Sequence, residues 1–476
     1  MSQLNNLLWY LLPFGLNTII QLISLSVYTK YLSPSDFGFY ALVMVYGTIS
    51  VAIANAGLLN IYQRNFFEIN TEQRKNLLFS NIAFVILMLM VLSLLSYIIF
   101  DFVRILFNLN SISVIWLLVG LNFLGIQSLN QFFFSTLKNT YKAKEFSIFQ
   151  ILEKLLSFLF SLLFVIHYEF KFEGILLGQL ISVTVLFIYF FLTQFEFSTR
   201  FHLGLLTSSL RLSIPLSVSN LVKVFGNQSD KYMIGYFNAI SGVGIYDIAQ
   251  KIANLSFVFS TALQNVYSPK VYKKLFSDHK NKFLEIGHYL TPFFFLVCFF
   301  SFVLSVFSEE IILIFTTDEY VQAMPIIMLL SILYCTHFFT KQPQLIFAKK
   351  TRLLSIISIS VILLNILLNI FLIKIYGLFG AAFSTFISGI IYAVVYFYYA
   401  QKFVPIHWEK KKILFLYTFL IAGIVIVLIF FYLNLNYNVR LLLKILLVVL
   451  YIFMAAHFNI INRKTIDNIL STYLKK

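Results

Sequence analysis

Nine lysine, aspartate and glutamate side chains lie inside long apolar stretches of this sequence, well away from the polar connectors. An unpaired charge at the centre of a membrane helix costs at least ~2.5 to 3.5 kcal/mol, so such groups usually face a partner or a polar cavity. The six lysines exceed the three acids by three charges, which predicts that an anionic group supplies the missing counter-charge. The nine residues are Lys154, Lys223, Lys231, Lys251, Lys341, Lys444, Glu153, Asp230 and Asp247.

Lys223 is the leading candidate for contact with that anionic group. It follows Arg211 by twelve residues, which is about 18 Å along a helix and therefore near the middle of the bilayer. Lys154, Lys251 and Lys341 are weaker candidates for the same contact. The competing interpretation is that the acids lock helices together through ion pairs while the outer lysines extend to the interface, as we expect for Lys444.

A second set of residues has the chemistry of ion pairs or of ion coupling: Glu153, Asp230, Lys231, Asp247 and His337. Asp247 and Lys251 are four residues apart and share one helix face, so they can pair. His337 and Lys341 have the same spacing, and His337 is expected to be a hydrogen-bonded packing residue rather than a proton carrier.

Two prolines and several amides complete the polar pattern. Pro325 and Pro343 are predicted to bend the helix that carries His337. Amides recur on single helix faces and can bind sugar hydroxyls, but hydrogen bonds between helices are equally expected. They include Asn17, Gln21, Gln127, Asn130, Asn365 and Asn369.

The elements that position these residues are membrane helices. The 476 residues are 60% apolar and 11% charged, whereas soluble domains are about 25% charged. A cytosolic globular enzyme is therefore excluded, and the sequence predicts an all-α polytopic membrane protein. Fourteen apolar stretches are long enough to span a bilayer: 5–29, 37–62, 77–100, 112–137, 146–166, 174–194, 212–236, 244–268, 283–307, 322–346, 353–373, 377–401, 413–433 and 439–461.

The connectors between these stretches differ in charge. Alternate connectors and the termini hold 24 Lys and Arg residues on one face against five on the other. The excess of basic residues in cytoplasmic loops places both termini in the cytoplasm.

The positions of the apolar stretches repeat at a fixed offset along the sequence. Adding 206 to the starts of the first six stretches reproduces the next six within about four residues, and Gly38, Gly174 and Ser182 then correspond to Gly244, Gly380 and Ser388. We predict two parallel six-helix bundles, at 1–205 and 206–405, and a two-helix appendage with a short tail at 406–476. Two such bundles can enclose a cavity that opens alternately to either side.

The sequence lacks the motifs that several enzymatic activities require. No phosphate-binding G-x-x-x-x-G-K-[ST] loop and no His-Glu-x-x-His motif occurs, so no catalytic residue, metal site or cofactor is predicted. A membrane glycosyltransferase or polymerase would need paired acids in a large outer loop. The only such cluster is expected to be a short solvated loop, and it contains Glu309, Glu310, Asp318 and Glu319. Nucleic-acid binding is not expected either, because the basic residues are dispersed over many connectors.

Two segments resemble the oligosaccharide-lipid flippases of the multidrug/oligosaccharidyl-lipid/polysaccharide exporter superfamily. The first is the loop and helix start Tyr-Leu-Ser-Pro-Ser-Asp-Phe-Gly-Phe-Tyr-Ala-Leu at 31–42. The second is Asp-Lys-Tyr-Met-Ile-Gly-Tyr at 230–236, followed by Gly244 and Tyr246, where Lys231 replaces the usual arginine of the family.

The resemblance implies that the protein moves an undecaprenyl-pyrophosphate-linked oligosaccharide from the inner to the outer leaflet of a bacterial plasma membrane. It also implies a V-shaped pair of bundles, H⁺ or Na⁺ as the coupling ion, and work in O-antigen or capsule synthesis beside a polysaccharide polymerase. The alternatives are a multidrug exporter, in which acids rather than lysines should dominate the cavity, and a flippase of another lipid-linked precursor.

Overall fold

The computed structural model of this chain describes residues 3–194, 200–237, 239–458 and 460, and within these ranges it contains helices and no β-strand. The first nine helices are α1 (Gln3–Tyr28), α2 (Pro34–Asn55), α3 (Leu58–Asn65), α4 (Thr71–Ile98), α5 (Phe100–Leu106), α6 (Val114–Asn139), α7 (Ala143–Leu162), α8 (Phe172–Gln194) and α9 (Leu203–Phe237). The next nine are α10 (Ile240–Leu275), α11 (Lys282–Val306), α12 (Ser308–Phe315), α13 (Met324–Thr340), α14 (Gln344–Phe347), α15 (Thr351–Tyr376), α16 (Leu378–Phe403), α17 (Lys410–Tyr432) and α18 (Tyr437–His457). The predicted all-α fold class is confirmed.

Eleven of the described helical segments are long and apolar enough to cross a membrane. They include α7 with the π-helical turn Leu163–His167 that follows it. They also include α13 together with α14 and the 3₁₀ turn Asp318–Ala323. Three further long helices, α1, α9 and α10, coincide with predicted stretches one, seven and eight. The count of fourteen spans stays a prediction, and the basic residues beyond 460 lie outside the described residues.

Two predicted stretches are interrupted. Stretch 37–62 breaks after α2, because Ala56 and Gly57 adopt left-handed backbone angles with φ of 43° and 73°. At Gly57 the left-handed angle favours glycine. The break at Pro343 confirms the predicted bend, since α13 ends at Thr340 and α14 begins at Gln344. The bend predicted at Pro325 is wrong: this proline lies in the first turn of α13, where a missing N–H is tolerated.

Packing divides the chain into two compact units, one of Met1–Asp247 with Ile314–Glu319 and one of Ile248–Leu313 with Tyr320–Lys476. The bundle boundaries proposed above rest on the sequence offset of 206, a different criterion, and they stay a prediction.

Two glycines allow α2 and α10 to cross closely in the first unit. A Cβ atom built on Gly38 of α2 would lie 2.0 Å from the carbonyl oxygen of Ile240, and one on Gly244 of α10 would lie 2.0 Å from that of Pro34. We call this contact the glycine crossing. Its two glycines are the pair related by the 206-residue offset. The flippase-like segments around 31–42 and 230–246 therefore meet in this unit.

The second unit is organised around α11. Phe293, Phe294 and Phe302 of this helix are almost fully buried. The C-terminal helices dock on the same helix, because the ring of Tyr451 in α18 stacks on Phe302 with centroids 4.8 Å apart. Gly423 allows α17 to pack closely against α11, since a Cβ at this position would lie 2.3 Å from the Phe302 ring.

A buried ion-pair network also holds α18 in the second unit. The Lys444 ammonium donates to Glu309 Oε2 at 2.6 Å and to Glu310 Oε1 at 2.7 Å, and Arg440 Nη2 donates to Glu309 Oε1 at 2.6 Å. The Lys444 side chain is 0% exposed. Two expectations are therefore wrong: Lys444 does not extend to the interface, and Glu309 and Glu310 are not solvated. Asp318 and Glu319 are exposed, as expected.

Replacing Gly38 with alanine tests the glycine crossing. The added methyl group has no space, and over-packing of this kind typically costs about 1 to 3 kcal/mol. We expect a lower melting temperature of the detergent-purified protein for G38A. Gly15→Ala is the control, because a Cβ at Gly15 meets nothing within 4 Å. Equal melting temperatures for the two variants would contradict the described crossing.

Replacing Lys444 with methionine tests the ion-pair network. Removal of Lys444 leaves the buried Glu310 carboxylate without a described counter-charge and Glu309 with Arg440 alone, and breaking a buried ion pair costs about 3 to 5 kcal/mol. We expect a large loss of thermal stability for K444M. Lys142→Met is the control, because Lys142 forms an ion pair of 3.3 Å with Glu145 in which both side chains are about half exposed. Similar stability losses in both variants would show that Lys444 is not buried as described.

Candidate functional site

Two polar pairs link α9 to α10 just before and after the turn between these helices. Lys231 Nζ lies 2.5 Å from Asp247 Oδ1, with side-chain exposures of 15% and 4%. The adjacent Tyr246 hydroxyl donates to Asp230 Oδ2 at 2.8 Å in a buried contact. Lys231 and Asp247 therefore neutralise each other, and the predicted set of coupling residues contains a helix-locking ion pair.

Two further hydrogen bonds belong to the same unit. Asn108 Nδ2 donates to the Gly235 carbonyl at 3.0 Å. In α2 the buried Tyr40 shares a hydrogen bond of 2.9 Å with Gln179 of α8. The Asn108 contact holds the C-terminal end of α9 against the turn that follows α5, and the Tyr40 contact joins α2 to α8.

Lys341 has a different environment. It caps the C-terminal end of α13 in the second unit, where its ammonium donates to the Phe257 carbonyl at 3.0 Å and to Thr261 Oγ1 at 2.6 Å. The same nitrogen lies 3.7 Å from the centroid of the Phe257 ring, which is a cation–π contact. No described carboxylate lies within ion-pair distance of Lys341. A positive charge is thus held in place by neutral groups and keeps its capacity to pair with an anion.

The backbone around Lys341 is also fixed. Gln264 Nε2 donates to the Lys341 carbonyl at 2.8 Å. The next residue, Gln342, is buried and donates to Tyr267 Oη at 3.0 Å, while Tyr396 donates to the Gln342 carbonyl at 2.6 Å. Side-chain hydrogen bonds therefore hold the backbone between α13 and α14 at the helix break.

The other predicted substrate-binding lysines are less enclosed. The side chains of Lys223 in α9 and Lys154 in α7 are exposed, and neither forms an ion pair with a described residue. Lys251 is partly buried in α10 and belongs to the second unit. Their roles as contacts for an anionic group stay predictions.

His337 lies one turn before Lys341 among aromatic rings. Its ring centroid is 6.0 Å from that of Phe257 and 6.1 Å from that of Tyr334, in edge-on arrangements. Its Nε2 atom is buried and has no hydrogen-bond partner among the described residues. The packing role expected for His337 agrees with the ring contacts, while the expected hydrogen bond of this nitrogen is not seen in the described part of the chain.

Glu153 is a buried acid of the predicted set and lies in the first unit. It is 5% exposed, in the middle of α7. Gln127 Nε2 of α6 donates to its Oε1 atom at 3.3 Å, and the backbone carbonyl of Glu153 accepts from Ser182 of α8 at 2.7 Å. Sequence analysis did not single out Ser182 as a contact of Glu153, because a serine in an apolar helix carries no distinctive signal.

The charge balance inside the helices changes once the contacts are known. Glu309, Glu310 and Arg440 belong with the buried ionisable groups. Adding these three residues, together with Asp36, which is 8% exposed at the start of α2, to the nine residues singled out in the sequence lowers the positive excess from three to one. Sequence analysis assigned Glu309, Glu310 and Arg440 to connectors, because each lies close to the end of an apolar stretch.

The long apolar helices define a multi-pass membrane protein, and its fold is similar to the folds of solved transporters of the MOP superfamily. The structure is similar to that of the lipid II flippase MurJ in an inward closed conformation, with a TM-score of 0.75 and 19% identity over 95% of this chain and 99% of that chain. It is also similar to an inward-facing multidrug resistance transporter of the MATE family, with a TM-score of 0.58 and 14% identity over 83% of this chain and 97% of that chain.

Sequence comparison identifies the family. The model described as polysaccharide biosynthesis protein matches residues 3–276, and the MatE model matches residues 215–371. Since the first match covers more than half of the 476 residues, the chain belongs to the polysaccharide biosynthesis protein family. A probable low-salt glycan biosynthesis flippase of Haloferax volcanii is 29% identical over 208 residues, which are 41% of this chain and 42% of that protein. The match thus spans less than half of the relative's length.

Replacing Tyr246 with phenylalanine tests the α9–α10 contacts. The change removes one donor from the buried Asp230 carboxylate, and a hydrogen bond to a charged group contributes about 1.5 to 3 kcal/mol. We expect Y246F to lower the melting temperature. Tyr432→Phe is the control, because Tyr432 is 87% exposed. If Y246F melts at the same temperature as Y432F, the described hydrogen bond contributes nothing.

Proposed function

We propose that this protein is a flippase that moves a polyprenyl-pyrophosphate-linked oligosaccharide from the inner to the outer leaflet of a membrane. The observation that carries the proposal is Lys341, whose ammonium is held by a carbonyl, a hydroxyl and an aromatic ring without a described carboxylate. Membership of the polysaccharide biosynthesis protein family supports the same substrate class.

Transport of such a substrate requires a polar path and positive charge inside the membrane. A pyrophosphate and a hydrated sugar cannot cross hydrocarbon without a polar path. Polar side chains on membrane helices would supply one, and the 35-residue helix α9 carries Lys223. Lysines without acidic partners, such as Lys223 and Lys341, would attract the pyrophosphate, while the polyprenyl tail stays in the lipid.

The finer parts of the proposal follow from the family resemblance and the charge pattern. We propose undecaprenyl as the lipid, a bacterial plasma membrane with both termini in the cytoplasm, and O-antigen or capsule synthesis as the pathway. Transport would proceed by alternating access, driven by H⁺ or Na⁺ and without catalytic chemistry, next to a polysaccharide polymerase. A gradient can drive this cycle only if affinity for the substrate differs between the two states.

A multidrug exporter is the second candidate, and the MatE match to residues 215–371 favours it. In that case, deletion of the gene should increase sensitivity to cationic dyes. Unchanged dye sensitivity together with loss of surface polysaccharide would support the flippase.

Replacing Lys223 with alanine, or Lys341 with methionine, tests the contact with the pyrophosphate. A hydrogen bond to a charged group contributes about 1.5 to 3 kcal/mol, so we expect transport to slow by about ten- to a hundredfold. The measurement is the flipping of a fluorescent polyprenyl-pyrophosphate-linked sugar in proteoliposomes, followed by chemical quenching of the outer leaflet.

Two controls make this test specific. Lys341→Arg should retain most of the activity, because it keeps the positive charge. Lys142→Ala should transport normally, because Lys142 is paired with Glu145 at the start of α7. Normal transport by a folded K223A or K341M variant would remove that lysine from the proposed site.

A further inference from the structure

An apolar groove runs along one face of α4 in the first unit. It has a volume of about 360 Å³, and Phe191 of α8 lines it on one side. The groove is open to the surroundings of the protein, because Leu87 is 55% exposed and Met90 is 64% exposed. Its lining on α4 recurs every three or four residues, as one helix face does: Phe79, Ile82, Ala83, Ile86, Leu87 and Met90.

The length of this groove matches one leaflet of a membrane. Phe79 and Met90 are eleven residues apart, which is about 17 Å along a helix. Half of the ~30 Å hydrocarbon core is about 15 Å. The helix begins at Thr71, about two turns before Phe79, on the face that the charge pattern predicts to be cytoplasmic. One acyl chain of this leaflet can therefore lie along the groove from the headgroup region to the middle of the bilayer.

Basic side chains lie where the groove begins. Lys75 precedes Phe79 by four residues and therefore lies on the groove face of α4. The next residue, Asn76, accepts a hydrogen bond of 2.9 Å at its Oδ1 atom from the backbone N–H of Arg200. This contact holds the exposed Arg200 beside the same turn, and Arg200 forms no ion pair with a described residue.

The charge at this end of the groove is positive. The guanidinium of Arg74 lies 4.5 Å from the centroid of the Phe66 ring, a contact that leaves its charge uncancelled. The acid in the first turn of α4 is Glu72, which is exposed. Three basic side chains thus stand against one acidic side chain among the described residues here. We call the three the basic rim: Arg74, Lys75 and Arg200.

We propose that the groove and its basic rim bind an anionic phospholipid of the membrane, with one acyl chain along α4 and the phosphate group near Lys75 and Arg200. The groove alone would accept any hydrocarbon chain, but a positive rim favours a headgroup with net negative charge over a zwitterionic one. This site is separate from Lys341, which belongs to the second unit. The proposal does not depend on the proposed transport function.

Lipid retention by the full-length protein tests the site. Nanodiscs with equal amounts of phosphatidylglycerol and phosphatidylcholine of matched acyl chains supply the two probes. Native mass spectrometry then measures which lipids stay bound after mild detergent extraction. We expect the wild type to retain phosphatidylglycerol in preference to phosphatidylcholine. Equal retention of both lipids is the behaviour of ordinary annular lipid and would overturn the proposal.

Replacing Ala83 with phenylalanine tests the groove. Ala83 is the smallest residue of the lining, so a phenyl ring there occupies space that the acyl chain would fill. We expect A83F to melt at the wild-type temperature in detergent and to lose the bound phosphatidylglycerol. Val394→Phe is the matched control, because Val394 is 62% exposed on α16, outside the groove. Equal retention of phosphatidylglycerol by A83F and V394F would contradict the assigned groove.

Replacing Arg200 with glutamine tests the basic rim and leaves the backbone contact with Asn76 in place. One basic residue near an anionic headgroup changes affinity by about fivefold. We expect R200Q to retain about five times less phosphatidylglycerol and the same phosphatidylcholine as the wild type. Lys144→Gln is the control, because Lys144 is exposed at the start of α7 on the same predicted face.

Two results would overturn the assigned ligand. One is an equal effect of R200Q and K144Q on phosphatidylglycerol, which would show that the headgroup does not contact Arg200. The other is displacement of phosphatidylglycerol from the wild type by an equimolar amount of polyprenyl phosphate, with no such displacement in A83F. That result would assign the groove to a polyprenyl chain and not to a phospholipid.

Discussion

The structure depends on one constraint: hydrocarbon offers no hydrogen bonds to a polar group. Backbone groups meet this constraint by forming helices, so the described residues contain no strand. Side chains meet it by pairing, as Lys231 does with Asp247 and Lys444 with Glu309 and Glu310. Most buried charges are therefore explained by structure alone, and the few that lack an opposite charge become informative.

The helices themselves were predictable, because hydropathy is a local property of the sequence. The predicted stretch 439–461 corresponds to the helix Tyr437–His457, and 353–373 corresponds to Thr351–Tyr376. Proline signalled the break at Pro343 in the same local way. The break at Ala56 and Gly57 was not predicted, because it depends on packing: a Cβ at Gly57 would lie 3.2 Å from the Ser213 carbonyl oxygen, far along the chain.

Charge partners were much harder to predict, because they are a property of the folded chain. Lys444 is separated from Glu310 by 134 residues, so spacing rules for a single helix say nothing about this pair. The same holds for Lys231 and Asp247, which lie on different helices 16 residues apart. Sequence analysis singled out ionisable residues, but it could not separate those that lock helices through ion pairs from those without an acidic partner in the described chain.

Lys341 differs from the locked lysines in the kind of groups that hold it. Carbonyl, hydroxyl and ring contacts orient its ammonium without cancelling its charge, and neighbouring residues partly cover it. Mobile salt ions screen exposed charges over about 8 to 10 Å, but they screen partly buried charges much less. An anion that reaches Lys341 would consequently be held with little dependence on ionic strength, unlike an anion attracted by the lysines of the exposed connectors.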